Sequence, residues 1–311
     1  MQLRRVGRSG LRVSRLALGT MTWGSQVDEE TAADLFDTFR EAGGTLIDTA
    51  PVYGEGRAEA LLGTLLADRG AREEVLLAGK CGVALHAGES RIDASRGAML
   101  GQLDKSLREL HTDHLDLWQV HRWDETVPLE ETLSALDHAV TSGRVRYVGV
   151  SNYSPWQTAL AQAQVPHLVS TQVEYSLLCR TPEAHLVEAL DYLGLGLLAW
   201  SPLGRGVLTG KYRTGTPADS RGADEGWARW LADYLQPSRA GIVEAVVRAA
   251  DGLGHSPAQV ALAWVRDRHG LSSAIIGPRT PVQLAELLLT EQIDIPPEIT
   301  MALDDVSHDL P

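Results

Sequence analysis

The stretch Thr45-Leu-Ile-Asp-Thr-Ala-Pro-Val-Tyr53 joins a short apolar run to a carboxylate, Asp48, and then to a phenol, Tyr53. A run with helical patterning follows it. An apolar run that ends in a polar residue and leads into a helix is typical of one strand–helix unit of a parallel sheet. Later apolar runs end in the same way at Lys80 and at His121. If these runs are neighbouring strands of one barrel, the four side chains meet at a single rim.

The strand–helix unit recurs along the chain. Strands are predicted near 16–20, 45–49, 75–80, 114–120, 145–151, 168–173, 196–201 and 272–277. Helices are predicted near 28–42, 57–69, 94–110, 129–142, 154–164, 182–193, 257–268 and 281–289. Such alternation over roughly 250 residues favours an α/β fold, a closed (β/α)8 TIM barrel. The alternative is a Rossmann-type sheet, whose glycine fingerprint is incomplete because Glu59 stands at the third glycine position.

We predict a single barrel domain over residues 1–311. Residues 1–15 alternate apolar and polar around a glycine-containing turn, which predicts an N-terminal β-hairpin cap. Residues 212–236 mix Gly, Pro and Asp with aromatic residues and are predicted to form a long substrate or cofactor loop. Extra helices are predicted near the C-terminus, at 238–253 and after Pro296.

Composition excludes some partners. The chain has 28 basic and 41 acidic residues and a net charge of −13, which argues against binding to nucleic acid or to an anionic membrane. Cys81 and Cys179 have neither metal-type spacing nor the pattern of a disulfide framework. The N-terminus lacks the apolar run of a signal peptide, and no stretch is long and apolar enough for a membrane span. These features predict a protein of the reducing cytoplasm.

The four polar residues suggest acid–base chemistry. Taken singly, Asp48 fits a helix cap, Lys80 a surface cation and His121 a hydrogen-bonded core histidine. Taken together, Asp48 would pair with Lys80, whose ammonium is expected to lower the pKa of Tyr53 from about 10 by one to three. Tyr53 would then donate a proton to an oxygen that gains negative charge, with His121 orienting that oxygen. A carbonyl that accepts hydride develops such a charge.

A hydride source implies a nucleotide site. Gly277-Pro-Arg-Thr-Pro-Val-Gln283 lies between the eighth strand and its helix, where barrels of this kind often bind phosphate. Arg279 and Thr280 would grip a phosphate, although Thr280 also fits an ordinary helix cap. A glycine-rich loop, residues 201–211, ends in the cation Lys211. Trp200 precedes that loop and suits either the core or a flat cofactor ring.

These residues resemble the aldo-keto reductase family along almost the whole chain. The motifs that carry the resemblance are Gly19-Thr-Met-Thr-Trp-Gly24, Asp48-Thr-Ala-Pro-Val-Tyr-Gly-Glu-Gly56, Gly79-Lys-Cys-Gly82, Asp113-His-Leu-Asp-Leu-Trp-Gln-Val-His121, Gly149-Val-Ser-Asn152, Ser201-Pro-Leu-Gly-Arg-Gly206 and Gly277-Pro-Arg-Thr280. The resemblance implies an NADP(H)-dependent carbonyl reductase on a (β/α)8 barrel, without a metal.

The resemblance also implies site roles. The catalytic set would be Asp48, Tyr53, Lys80 and His121, with Tyr53 as proton donor. The cofactor-binding set would be Thr20, Met21, Ser151, Asn152, Gln172, Trp200, Ser201, Leu203, Gly206, Lys211, Gly277, Arg279, Thr280 and Gln283. Arg279 would meet the 2′-phosphate of NADP. Where many relatives have Gln-Leu-x-Glu-Asn, this chain ends the motif in Leu287, so NADP preference would rest mainly on Arg279.

The substrate is expected to be a small carbonyl compound, and an oligomer is compatible with the sequence. Predicted pocket walls are Trp23, Trp123, Trp227 and Trp230. Three alternatives to an aldehyde or ketone reductase remain open. One is a ketoreductase of sugars or nucleotide-sugars, for which Arg122, Arg205 and Arg213 would contact phosphate. Another is a slow NADP-binding sensor, as in the potassium-channel β-subunit branch. The third is a glycoside hydrolase that uses Asp48 and Glu55, disfavoured because Lys80 would hold Asp48 ionised.

Overall fold

The computed structural model describes residues 1–86, 89–218 and 220–308; residues 87, 88, 219 and 309–311 of the predicted 1–311 domain lie outside the described residues. The chain begins with the predicted hairpin, in which β1 (Leu3–Arg5) pairs antiparallel with β2 (Arg12–Ser14). Its turn needs a glycine, because Gly7 has φ of +55° and a Cβ there would lie 2.4 Å from the carbonyl oxygen of Gly194.

Eight parallel strands close into a barrel, which confirms the predicted fold class. They are β3 (Leu16–Gly19), β4 (Leu46–Asp48), β5 (Leu76–Cys81), β8 (Leu115–Val120), β9 (Val145–Ser151), β10 (Leu168–Glu174), β11 (Gly196–Trp200) and β12 (Leu271–Ile276). Around the barrel the strands follow in this same order, and β12 pairs with β3 to close it. Each predicted strand ends within one residue of the observed one.

Helices connect the strands at the predicted places. They are α1 (Glu29–Glu41), α2 (Arg57–Arg69), α3 (Arg96–Glu109), α4 (Leu129–Thr141), α5 (Pro155–Gln164), α6 (Thr181–Leu193), α7 (Glu225–Leu231), α8 (Pro237–Leu253), α9 (Pro257–Arg266), α10 (Pro281–Leu288) and α11 (Pro297–Ser307). Local sequence sets several starts. Ser154 before α5 and Ser256 before α9 each form a capping box with the glutamine three residues later, and a proline occupies the first turn.

The two ends of the barrel differ in chemistry because side chains alternate along each strand. Leu46 and Ala78 point into the barrel, so Asp48 and Lys80, two residues further on, point the same way at the carboxyl ends. At the other end the hairpin packs onto inward apolar residues of the strands through Val6, Leu11 and Val13. An apolar plug therefore closes the amino end, and the buried polar groups gather at the carboxyl end.

Two segments depart from the sequence expectations. A second hairpin, β6 (Val83–His86) with β7 (Glu89–Ile92), follows β5 and was not predicted. The predicted long loop 212–236 contains α7 and short 3-10 turns, so it is partly helical; its residue 219 is not described. None of the described helices combines the length and apolar composition required to cross a bilayer.

Candidate active site

A cavity of about 490 Å³ opens at the carboxyl ends of the barrel strands. Most residues that the sequence assigned to a site line it. They are Met21, Asp48, Tyr53, His121, Ser151, Asn152, Gln172, Trp200, Ser201, Leu203, Gly206, Lys211, Trp230, Gly277, Arg279 and Gln283. The strand ends thus bring residues from distant parts of the chain to one place.

Lys80 lies beneath the cavity and organises its floor. It is 1% exposed, and its ammonium donates to both carboxylate oxygens of Asp48, at 2.7 and 2.6 Å. It also donates to the carbonyl oxygen of Thr49 at 3.3 Å and to the hydroxyl oxygen of Tyr53 at 3.1 Å. A buried charge is stable only when it is paired and hydrogen-bonded, and Lys80 meets both conditions.

Tyr53 reaches the cavity from a strained turn. It starts a 3-10 turn, Tyr53–Gly56, in which Gly54, Glu55 and Gly56 all have positive φ. A Cβ at Gly54 would lie 2.5 Å from the carbonyl oxygen of Trp23, so the turn requires glycine there. The tight turn holds the phenol beside His121, whose ring centroid lies 6.1 Å from that of Tyr53 in an edge-to-face arrangement.

The surroundings shift the pKa values of three site residues. Burial raises the pKa of Tyr53, and the charge of Lys80 opposes this without overcoming it, so the phenol is protonated at neutral pH. The expectation that Lys80 lowers the pKa of Tyr53 below its ordinary value is therefore wrong in net direction. Burial works to lower the pKa of Lys80, but Asp48 and Tyr53 outweigh it and raise that pKa. Burial, then the charges of Lys80 and Arg122, lowers the pKa of His121 to about 3, which leaves the imidazole neutral.

The amide groups around the floor are held by hydrogen bonds. Gln172 Nε2 donates to Asp48 Oδ1 at 2.8 Å, and Ser151 Oγ donates to the Gln172 carbonyl oxygen at 2.8 Å. Asn152 Nδ2 donates to the carbonyl oxygen of His121 at 3.0 Å, and its Oδ1 accepts from Trp200 Nε1 at 3.0 Å. These bonds fix the face that the Trp200 ring presents to the cavity.

One wall is built on Arg205, which has φ of +57°. Its guanidinium donates to both carboxylate oxygens of Glu174, at 3.0 and 2.8 Å, and to the carbonyl oxygen of Trp230. It also lies 4.0 Å from the ring centroid of Trp230. Trp230 is thereby held nearly parallel to Trp200, with an interplanar angle of 11° and ring centroids 6.5 Å apart.

Five predicted residues that would contact a ligand do not line the cavity. Thr20 is fully buried and donates to the carbonyl oxygen of Asp48, so it supports the floor. Trp23 is fully buried in the core beneath the Tyr53 turn. Trp123 packs edge-to-face on Tyr153 and Trp156. The other two are Thr280, the N-cap of α10, and Trp227, which packs on Trp230.

Other lining residues belong to neither the cofactor set nor the pocket walls predicted from sequence, although Arg122 and Arg205 were named there as phosphate contacts of the sugar-ketoreductase alternative. They are Gly19, Thr22, Arg122, Pro202, Arg205, Thr209, Pro257, Ala258, Ile275, Ile276, Pro278, Glu286 and Leu287. Ile275 and Ile276 end β12, so strand-end position was a usable signal for them. Pro257 and Ala258 start α9, which packs beside the loop after β11, and nothing in their local sequence marks them. Leu287, the position at which the sequence departs from the resemblance described above, adds an apolar side chain to the cavity wall.

Comparisons with known proteins agree with this geometry. A profile of the Aldo/keto reductase family matches residues 15–307. The chain belongs to the aldo/keto reductase family. It is 38% identical to the uncharacterized oxidoreductase YrpG of Bacillus subtilis (strain 168), over 98% of this chain and 96% of that protein. It is 37% identical to the L-glyceraldehyde 3-phosphate reductase of Escherichia coli (strain K12), over 92% of this chain and 86% of that protein.

A third relative has a different name. The "Probable voltage-gated potassium channel subunit beta" of Oryza sativa subsp. japonica is 35% identical over 98% of this chain and 95% of that protein. This aldo/keto reductase is an oxidoreductase that acts on carbonyl groups, and members of the family use NAD(P)H.

The cavity of this aldo/keto reductase fits such a cofactor. Lys211 and Arg279 line it and supply cationic side chains of the kind that bind phosphate groups. Gly206 has φ of +92°, a conformation that favours glycine, and a Cβ there would lie 3.5 Å from Lys211 Nζ, so the loop backbone runs beside that ammonium. The flat face of Trp200 at the opposite end suits a nicotinamide ring.

Proposed function

We propose that the protein reduces an aldehyde or ketone to an alcohol with NADPH, and that Tyr53 supplies the proton. The observation that carries the proposal is the contact of the Tyr53 hydroxyl with the Lys80 ammonium at 3.1 Å, beside the neutral ring of His121. Bound NADPH would supply the hydride that adds to the carbonyl carbon, and NADP⁺ would result.

Tyr53, Lys80 and His121 divide the work on the substrate oxygen. The protonated Tyr53 hydroxyl and the neutral His121 ring line the cavity, where both could hydrogen-bond one carbonyl oxygen. As the C=O bond is reduced, its electron pair passes to the oxygen, which takes the phenolic proton and becomes a hydroxyl. The phenolate left on Tyr53 is stabilised by the ammonium of Lys80 until a proton from solvent restores the phenol.

Asp48 has a supporting part. Its carboxylate accepts two hydrogen bonds from Lys80 and one from Gln172, so the ammonium is held charged and aimed at Tyr53. Because these bonds use the carboxylate and the burial excludes water, Asp48 serves to position Lys80.

The cofactor would lie along the cavity. We assign Arg279 and Thr280 to the 2′-phosphate, Lys211 to the pyrophosphate, and Ser151, Asn152 and Gln172 to the carboxamide, with Trp200 under the nicotinamide. Support comes from the placement of all of these except Thr280 in the cavity wall. The described free thiols Cys81 and Cys179 suit the reducing cytoplasm.

The test is consumption of NADPH with a panel of aldehydes, ketones and keto-sugars, repeated with NADH. We expect stoichiometric formation of the alcohol with NADPH preferred. Tight NADPH binding without turnover of any panel member would contradict the proposal and favour a sensor role instead.

A further inference from the structure

Three arginines near the cavity mouth differ in how they are used. The guanidinium of Arg205 donates hydrogen bonds to Glu174 and to the Trp230 carbonyl oxygen. Arg213 donates to both carboxylate oxygens of Glu244, at 2.6 and 2.9 Å. Arg122, by contrast, has no hydrogen bond or ion pair with any residue in the described part of the chain. Only Arg122 of the three therefore has its donors available to a ligand.

Arg122 is also placed beside the reacting centre. It lines the cavity directly after His121, and its charge is near enough to contribute to the lowered pKa of that histidine. The nearest acid along the chain, Asp124, does not neutralise it. The carboxylate of Asp124 accepts from the backbone N–H of Ala94 and from the backbone and side chain of Thr126.

The negative net charge of the chain makes the local positive charge of Arg122 important for attracting an anion. The chain carries a net charge of −13, so its general field repels anionic solutes. An unpaired guanidinium at the mouth supplies local attraction where the general field does not. A guanidinium presents a planar fork of donors that matches the oxygens of a carboxylate or a phosphate.

We infer that Arg122 binds an anionic group of the carbonyl substrate, a carboxylate or a phosphate, so that the physiological substrate is a small anionic aldehyde or ketone. The inference rests on the proposed function, because it places the substrate carbonyl beside Tyr53 and His121. Arg122 acts in recognition and takes no part in the proton or hydride transfer.

The experiment compares matched aldehydes that differ in one anionic group: glyceraldehyde 3-phosphate against glyceraldehyde, and succinic semialdehyde against butyraldehyde. A charge-assisted hydrogen bond predicts that kcat/KM of the wild type favours one charged member by about tenfold or more. The phosphate pair and the carboxylate pair tell the two anions apart. In Arg122→Gln the preference should disappear, mainly through a higher KM, and in the wild type it should shrink as KCl is raised.

The matched control is Arg12→Gln. Arg12 is an exposed arginine of β2 at the closed end of the barrel, so its removal changes the net charge equally without touching the cavity. We expect the control to keep the wild-type preference. Equal preference losses in both variants, or no preference in the wild type, would overturn the inference.

A binding measurement separates this inference from the proposed function. Glycerol 3-phosphate, a reduced product, can be titrated by the fluorescence of the cavity tryptophans in the protein saturated with NADP⁺. Weaker binding to Arg122→Gln than to Arg12→Gln by about tenfold supports the anion contact even if no aldehyde on the panel is reduced. Equal binding to both variants refutes it, whatever the turnover.

Discussion

The ammonium nitrogen of Lys80 lies 3.1 Å from the hydroxyl oxygen of Tyr53, and 5.0 Å from the centroid of its ring. The phenol therefore meets a positive charge at its oxygen while burial keeps it protonated. Tyr53 thus holds its proton in the resting state, and the Lys80 ammonium can stabilise the phenolate that remains after proton transfer. This arrangement suits a general acid.

The first prediction concerns that acid. Tyr53→Phe keeps the ring and removes the proton, so kcat for aldehyde reduction should fall by roughly 10²–10⁴. The dissociation constant of NADPH, measured by fluorescence titration, should stay within about twofold of the wild-type value. Turnover at the wild-type rate would remove Tyr53 from the proposed role.

The second prediction concerns the buried ion pair. Lys80→Met leaves the carboxylate of Asp48 buried without its cation, and loss of one partner of such a pair costs about 3–5 kcal/mol of unfolding free energy. The double variant Lys80→Met/Asp48→Asn removes the stranded charge and should recover part of that loss. Urea unfolding of these two variants and of Asp48→Asn provides the measurement, and strictly additive losses would contradict the pairing.

The third prediction concerns pH. The pKa of His121 is lowered from the usual 6.5 to about 3, so the imidazole stays uncharged as the pH passes through 6.5. With a substrate that does not titrate, kcat/KM should show no inflection near pH 6.5. The control is His121→Asn, which cannot titrate: an inflection found in the wild type and lost in this variant would show that His121 does gain a proton there.

The fourth prediction concerns cofactor choice. Arg279→Ala should raise the dissociation constant of NADPH by about tenfold or more and leave that of NADH within about twofold, because only NADPH carries the 2′-phosphate. Lys211→Ala is the matched comparison. Both cofactors carry the pyrophosphate, so loss of a contact to it should raise both dissociation constants alike. Equal losses for both cofactors in Arg279→Ala would refute the assignment.

The fifth prediction concerns Glu59, which is fully buried on α2. Burial raises its pKa to about 7; Ser106, at 3.1 Å, and the charges of Lys105 and Lys80 oppose that rise, whereas Glu109 adds to it. The folded protein then holds a proton that the unfolded chain releases above its ordinary pKa, so stability falls as pH rises from about 4.5 to 7.

Glu59→Gln removes this titration. Relative to the variant, the wild type should lose on the order of 3 kcal/mol of unfolding free energy between pH 4.5 and 8. Urea unfolding at both pH values measures the difference. A constant gap between the two proteins would show that folding does not raise the pKa of Glu59.

Much of the floor of the site was predictable because strands have a period of two. Asp48 follows inward Leu46, and Lys80 follows inward Ala78, so the polar strand ends had to share the barrel mouth. The net pKa direction of Tyr53 was not predictable, since it depends on how deeply the ring is packed.

The locations of the tryptophans were also not predictable from the sequence. An indole suits a core as well as a cavity wall, and sequence alone does not separate the two. Trp23 lies in the core because Gly54 of the Tyr53 turn packs against the Trp23 carbonyl oxygen. Trp230 lies in the cavity wall because the guanidinium of Arg205 contacts its carbonyl oxygen and its ring. Both outcomes depend on partners distant in the chain.

The hydrogen bond from Gln172 to Asp48 crosses the barrel mouth, because β10 and β4 lie on opposite sides of the ring of eight strands. It joins residues 124 positions apart. Contacts of such separation form only after the intervening loops have been closed, which makes them late events in folding. Recovery of activity during refolding should therefore lag behind recovery of the helical circular-dichroism signal. The return of activity would then report the closure of the eight-stranded barrel.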